Sequence, residues 1–216
     1  ASAGTKSGAH LWMQINHPGK QSPKFLSKTP MAPSAIGYES HMKNMFNPPR
    51  ELTEVEIEDI IERFAFTAKT AKEAGFTGVQ IHGAHGYLVS QFLSPRHNQR
   101  SDKWGGSLEN RARFAIEIYR DIRKKVGPEF PIGIKINSAD FQRGAFTEEE
   151  SLAVIEMLSF EGMDMIEVSG GTYEKAAMMG AGKKIKESTQ KREAYFADFI
   201  EKARTKTKTP LLLTGG

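Results

Sequence analysis

Short apolar runs alternate along this chain with longer stretches in which apolar residues recur every three or four positions. The runs His10–Asn16 (HLWMQIN), Gly78–His82 (GVQIH), Pro131–Asn137 (PIGIKIN), Met163–Ser169 (MDMIEVS) and Pro210–Thr214 (PLLLT) read as strands. Thr53 and Glu56 have capping-box spacing, in which hydroxyl and carboxylate satisfy free backbone N–H groups. They stand ahead of Ile57, Ile60, Ile61 and Phe64, which share one helical face, and this helix is predicted to stop near Gly75. A second box, Thr147 with Glu150, opens Ser151–Phe160; Ser107 caps Leu108–Val126, and a further helix is predicted over Lys191–Arg204.

Strands alternating with helices imply a parallel sheet, either open and doubly wound or closed as a barrel. The strand ends favour the barrel. All five finish in polar or glycine residues: Gln14, Asn16 and His17; His82; Lys135 and Asn137; Glu167 and Ser169; Thr214 with Gly215. A barrel gathers every such end into one site, whereas an open sheet uses chiefly its switch point. The expected fold is therefore α/β, a (β/α)8 TIM barrel. Such a barrel needs eight strands and about 250 residues, and five strands at a normal tilt cannot close. Residues 1–216 are thus expected to be one barrel domain with about five of its eight strands, the first strands and the last lying outside the sequence. The aperiodic segment 19–52, rich in Pro, Ser and Lys, is expected to cap the site as a partial lid, a plain surface loop being the alternative.

With 216 residues, 38% of them apolar, the chain can bury a core, which argues against disorder. The absence of cysteine excludes disulfides, thiolate metal sites and iron–sulfur clusters within it, and leaves cytoplasm as the default location. No apolar run approaches the ~18 residues of a membrane span, so a soluble protein is expected; the first residues show neither an initiator Met nor a signal pattern. The net charge of +4 is modest, and the basic residues at 123–125, 183–184 and 202–208 are scattered among carboxylates. That suits solvated helix faces better than a nucleic-acid surface. Small molecules remain as partners, with a homo-oligomer left open.

The segment HGAHGY (His82 to Tyr87) sets two imidazoles and a phenol around glycines at a strand end. Two imidazoles can donate hydrogen bonds to one carbonyl or nitro oxygen and stabilise the enolate formed when hydride arrives; a phenol can supply the proton. Spacing alone leaves three readings open: catalysis, a zinc pair, or satisfied loop histidines. No HExxH pattern or evident third ligand accompanies them.

The block HGAHGYLVSQFLSPRHNQRSDKWGGSLENRARF (His82 to Phe114) closely resembles the signature of the Old Yellow Enzyme family of FMN-dependent ene-reductases and NADH:flavin oxidoreductases. LWMQINHPGKQ (Leu11 to Gln21), PRELT (Pro49 to Thr53), KINSADFQRGAFTEEES (Lys135 to Ser151), EVSGGTYE (Glu167 to Glu174), REAYF (Arg192 to Phe196) and the terminal TGG also match. The resemblance implies a TIM barrel that binds FMN at the carboxyl ends of its strands, with NAD(P)H as reductant and an electron-poor alkene as acceptor. By motif it makes His82 and His85 the oxyanion clamp and Tyr87 the general acid. It places Gln14 at the flavin pyrimidine edge and Lys135 near N1 and O2, where a cation stabilises the reduced flavin; Gly215 and Gly216 match the start of the phosphate loop. His85 stands where many relatives have Asn. Lys135 replaces a commoner Arg and cannot make the same planar fork. Arg96, Arg100, Asp102, Asn110, Arg111 and Arg113 are expected to tether loops, and 172–188 to form a surface loop. The alternatives kept open are a flavin-site relative without activity and a metal-dependent barrel enzyme using His82 and His85.

Overall fold

The computed structural model describes residues 1–172 and 197–214. After a short helix α1 (Ser2–Thr5), strand β1 (Trp12–Ile15) leads into the long connection, which contains the two-residue strands β2 (Met31–Ala32) and β3 (Arg50–Glu51). Then come α2 (Glu54–Glu73), β4 (Gly78–Gly83), α3 (Leu88–Leu93), α4 (Leu108–Val126), β5 (Ile132–Asn137), α5 (Glu148–Phe160), β6 (Met165–Ser169), helical residues 197–206 and β7 (Leu211–Leu213). The five sequence-read strands are present, mostly a residue or two shorter at their ends.

The main sheet is parallel throughout, in the order β1-β4-β5-β6-β7. Among the described residues strand order follows chain order with no reversal and no switch point, and the arrangement is that of consecutive strands in a TIM barrel. Ile15, Val79, Ile81, Ile132, Ile134, Ile136, Ile166 and Val168 form one face and pack against the helices. The alternate positions therefore face the barrel axis: Trp12 and Gln14; Gln80 and His82; Gly133, Lys135 and Asn137; Met165, Glu167 and Ser169. Near the amino ends, the Trp12 ring lies over Gly78 so closely that a side chain there would overlap it.

Both capping boxes form, at Thr53/Glu56 and Thr147/Glu150, and Ser107 accepts from the Asn110 N–H. α5 starts directly after Thr147, three residues before its sequence-read start. α2 ends at Glu73, ahead of Gly75 at φ +86°. Its buried face, from Ile57 to Ala71, packs chiefly on α4, whose Ala112, Ala115, Ile118 and Ile122 are fully enclosed. Each large apolar side chain buried this way contributes about 1.5–3 kcal/mol. α3 is absent from the sequence reading: it is only six residues long, all of them buried, Ser90 and Gln91 included, which is too short a stretch to reveal a helical period. The helix read over Lys191–Arg204 is helical at 197–206; its residues 191–196 lie outside the described ones, as do Tyr173 and Glu174 of the EVSGGTYE match, REAYF, and Gly215 with Gly216.

Candidate active site

The turn after β4 is built by two consecutive left-handed residues, His85 (φ 60°) and Gly86 (φ 76°). Such a conformation costs a side-chain-bearing residue roughly 1–2 kcal/mol, and hydrogen bonds at His85 offset it. The His85 N–H donates to Asn137 Oδ1 (3.1 Å), and its carbonyl accepts from Gln21 Nε2 (2.8 Å). Asn137 is fixed in turn by donating to Asp140 Oδ1 and to the Gly171 carbonyl. The same reversal brings Tyr87 to the amino end of α3 and back over β4.

His82, His85 and Tyr87 are thereby brought together. The His82 ring centroid lies 5.2 Å from that of His85 and 4.8 Å from that of Tyr87, both edge to face. His82 is buried, while His85 and Tyr87 are half-buried. His82 Nδ1 accepts from the Ala84 N–H (3.3 Å), which puts the ring proton on Nε2. Burial, then the neighbouring His85 and the Lys135 cation, push His82 down to about 4. Burial and Lys135 bring His85 to about 4 as well. Both imidazoles are therefore neutral near pH 7, and each offers one N–H donor.

Below this cluster a polar chain crosses the inner face. Gln14 Nε2 donates to Gln80 Oε1 (2.6 Å), Gln80 Nε2 to Glu167 Oε2 (2.6 Å), and Lys135 Nζ meets Glu167 Oε1 at 2.9 Å. The two proposed flavin contacts, Gln14 and Lys135, are thus the two ends of one network. The donor set fits the pyrimidine edge of a flavin: an amide that can both donate and accept, and a cation, face a ring edge of carbonyls, an N–H and developing negative charge. Among the described residues no group of three or more His, Asp or Glu is placed to hold a metal, so His82 and His85 gain no third ligand there.

Sequence reasoning missed Gln80 and gave no role to Glu167, Ser169 or Asn137. The signal for Gln80 was present, as a single amide inside the otherwise apolar GVQI run at an inward position. The arginines tether loops. Arg100, nearly enclosed, bonds the Pro33 and Leu52 carbonyls and Asp102, while Arg111 bonds the Leu93 and Gly106 carbonyls and Glu150. Segment 19–52 is anchored too: Lys20 is buried beside His97 (Nζ to Nδ1 3.0 Å), and Pro23 bridges Phe46.

Comparison with known proteins supplies the family. The model of the NADH:flavin oxidoreductase / NADH oxidase family matches residues 2–216. The chain belongs to that family. The NADH-dependent flavin oxidoreductase nadA of Aspergillus parasiticus is 39% identical over 218 residues, spanning all of this chain and 49% of the relative. The NADH oxidase of Thermoanaerobacter brockii is 43% identical over 77% of this chain and 25% of its own length. Among solved structures, a 2-naphthoyl-CoA reductase superposes with a TM-score of 0.86 at 32% identity, covering 98% of this chain and 33% of that one. Morphinone reductase superposes at 0.75 and 26% identity, over 98% of this chain and 57% of its own. The chain spans about half or less of these curated relatives. The family is one of FMN-dependent oxidoreductases, and the two curated relatives named above and an NADPH dehydrogenase of Clostridium acetobutylicum are named for NADH or NADPH. No helix among the described residues is long and apolar enough to cross a membrane.

Proposed function

We propose that this chain carries the acceptor-binding and flavin-contacting side of an NAD(P)H:FMN oxidoreductase acting on an alkene conjugated to a carbonyl or nitro group. The observation that carries this reading is the packing of His82, His85 and Tyr87 into one cluster at the carboxyl end of β4, with ring centroids 5.2 and 4.8 Å from His82. FMN, held by Gln14 and Lys135 and by backbone N–H groups at Gly215 and Gly216, would supply hydride carriage from NAD(P)H to the acceptor.

His82 and His85 donate one hydrogen bond each to the acceptor's oxygen and draw electron density from its C=C bond. Their neutrality suits this role, because a neutral donor stabilises the developing oxyanion without giving up its own proton. Tyr87 delivers a proton to the α-carbon as hydride reaches the β-carbon, so the C=C bond gains H⁻ and H⁺ while NAD(P)H becomes NAD(P)⁺. The segment 19–52 caps the site, since Gln21 holds the carbonyl of His85.

Anaerobic addition of NAD(P)H should bleach the bound flavin, and a later addition of 2-cyclohexenone should restore its absorbance with one equivalent of saturated ketone formed. A protein that binds no flavin, or whose reduced flavin no activated alkene reoxidises, overturns the proposal. The metal-dependent reading is checked in the same preparation by elemental analysis after chelator-free purification.

A further inference from the structure

Glu167 sits at the centre of the inner-face network, and its hydrogen bonds go to the flavin-facing side of the site, while His82 and His85 feel only its charge. Both of its oxygens are taken, one by Lys135 and the other by Gln80, and the Thr214 hydroxyl adds a further hydrogen bond. Burial works to raise its pKa, but the bonds from Lys135 and Gln80 outweigh that and hold it below the usual glutamate value, so it is ionised at neutral pH. The side chains of Lys135 and Glu167 are only 14% and 12% exposed, which leaves little water to screen the pair. Lys135 therefore presents to the barrel axis one half of an ion pair.

Resting on the assignment of Gln14 and Lys135 to the cofactor, we propose that Glu167 is a positioning residue that fixes the Lys135 ammonium and cancels most of its charge. Bound flavin then keeps a lower reduction potential than a lone cation would give it. The reduced flavin carries one more negative charge than the oxidised form, so the balance between them follows the local positive potential. A carboxylate 2.9 Å from the ammonium turns a monopole into a short dipole, whose field falls off faster with distance. Gln80 carries the constraint to Gln14: its amide donates to Glu167 and accepts from Gln14, so one carboxylate sets the orientation of both flavin-facing side chains.

The test is the equilibrium between oxidised and reduced flavin in the FMN-loaded protein, measured against a dye of known potential. Glu167→Gln keeps the shape and an acceptor oxygen but removes the charge. It should shift the equilibrium toward reduced flavin by at least tenfold, which is about 30 mV for a two-electron couple. A shift smaller than about threefold, as a merely structural role predicts, overturns the proposal. The double variant Lys135→Met/Glu167→Gln removes both charges and leaves neither buried alone, so it can be read even where the single variant does not fold. It should stay within about threefold of the parent; a tenfold shift toward oxidised flavin would show that Lys135 acts as an uncompensated cation, and overturns it too. Absence of FMN from the unaltered protein would instead remove the flavin-site assignment itself.

Discussion

His85 Nε2 lies 2.8 Å from the hydroxyl oxygen of Ser169, across the gap between β4 and β6. With the Ser169 hydroxyl donating to Nε2, the neutral ring carries its proton on Nδ1 and keeps that N–H for an acceptor. Ser169→Ala leaves the ring free to turn and to change tautomer. The expected outcome is a fall of about tenfold in kcat/KM for the alkene, near 1.4 kcal/mol, the size of one hydrogen bond. The rate of flavin reduction by NAD(P)H should not change. Stopped-flow measurement of the two half-reactions separates them, and equal losses in both would contradict a role at the clamp.

Tyr87 has the narrower task, so its removal should be the more selective. Tyr87→Phe keeps the ring against His82 and loses only the phenolic proton. Reoxidation by alkene should slow by roughly 10²-fold while reduction by NAD(P)H stays within about twofold. A solvent deuterium isotope effect on alkene reduction should change with the substitution, and an unchanged effect would place the proton donor elsewhere.

Much of this was legible in the sequence, because the features concerned are local. Strand and helix limits followed from periodicity and capping boxes, and the polar strand ends distinguished a barrel from an open sheet before any pairing was known. HGAHGY showed which groups would meet. What escaped were relationships between strands. That Asn137 would hold the His85 backbone, or that Glu167 would sit between Lys135 and Gln80, depends on parallel register, which no single strand encodes. α3 escaped because six residues are too few to display a helical period.

Arg111 should matter more to stability than to turnover. Its guanidinium is nearly enclosed and ties the end of α3, the Gly106 loop and the start of α5 through the Leu93 and Gly106 carbonyls and Glu150. Arg111→Met leaves the Leu93 and Gly106 carbonyls and one oxygen of the partly exposed Glu150 without their guanidinium partner, and should cost about 2–4 kcal/mol. A urea titration of the variant should show a markedly lower midpoint at an unchanged slope. A loss below about 1 kcal/mol would mean that the pairing is worth no more than a surface ion pair.

Four histidines make the protein sensitive to mild acid: burial, with Arg63, holds His17 below its ordinary value, and three more are shifted further. His82 and His85 are held at about 4, and His97 is held at about 3 by burial, Lys20 and Arg96, against an ordinary value of 6.5. In the unfolded chain these rings take up protons near pH 6.5, whereas in the folded protein they refuse them. Unfolding therefore binds protons as the pH drops below about 6.5, and stability that is complete above that value is lost progressively down to pH 4 for the clamp pair and pH 3 for His97. His82 alone accounts for roughly 3 kcal/mol at the acid end. Carboxylates with lowered pKa, such as Glu56 and Asp102, begin to contribute only below their own ordinary values near 4.5 and 3.8, so the interval from pH 6.5 to 5 isolates the histidines. Urea midpoints should fall across that interval in the parent protein and fall less steeply in His82→Gln, which has nothing to protonate at that position. Equal slopes in the two proteins would show that His82 titrates normally in the fold, and would remove the basis for a neutral clamp.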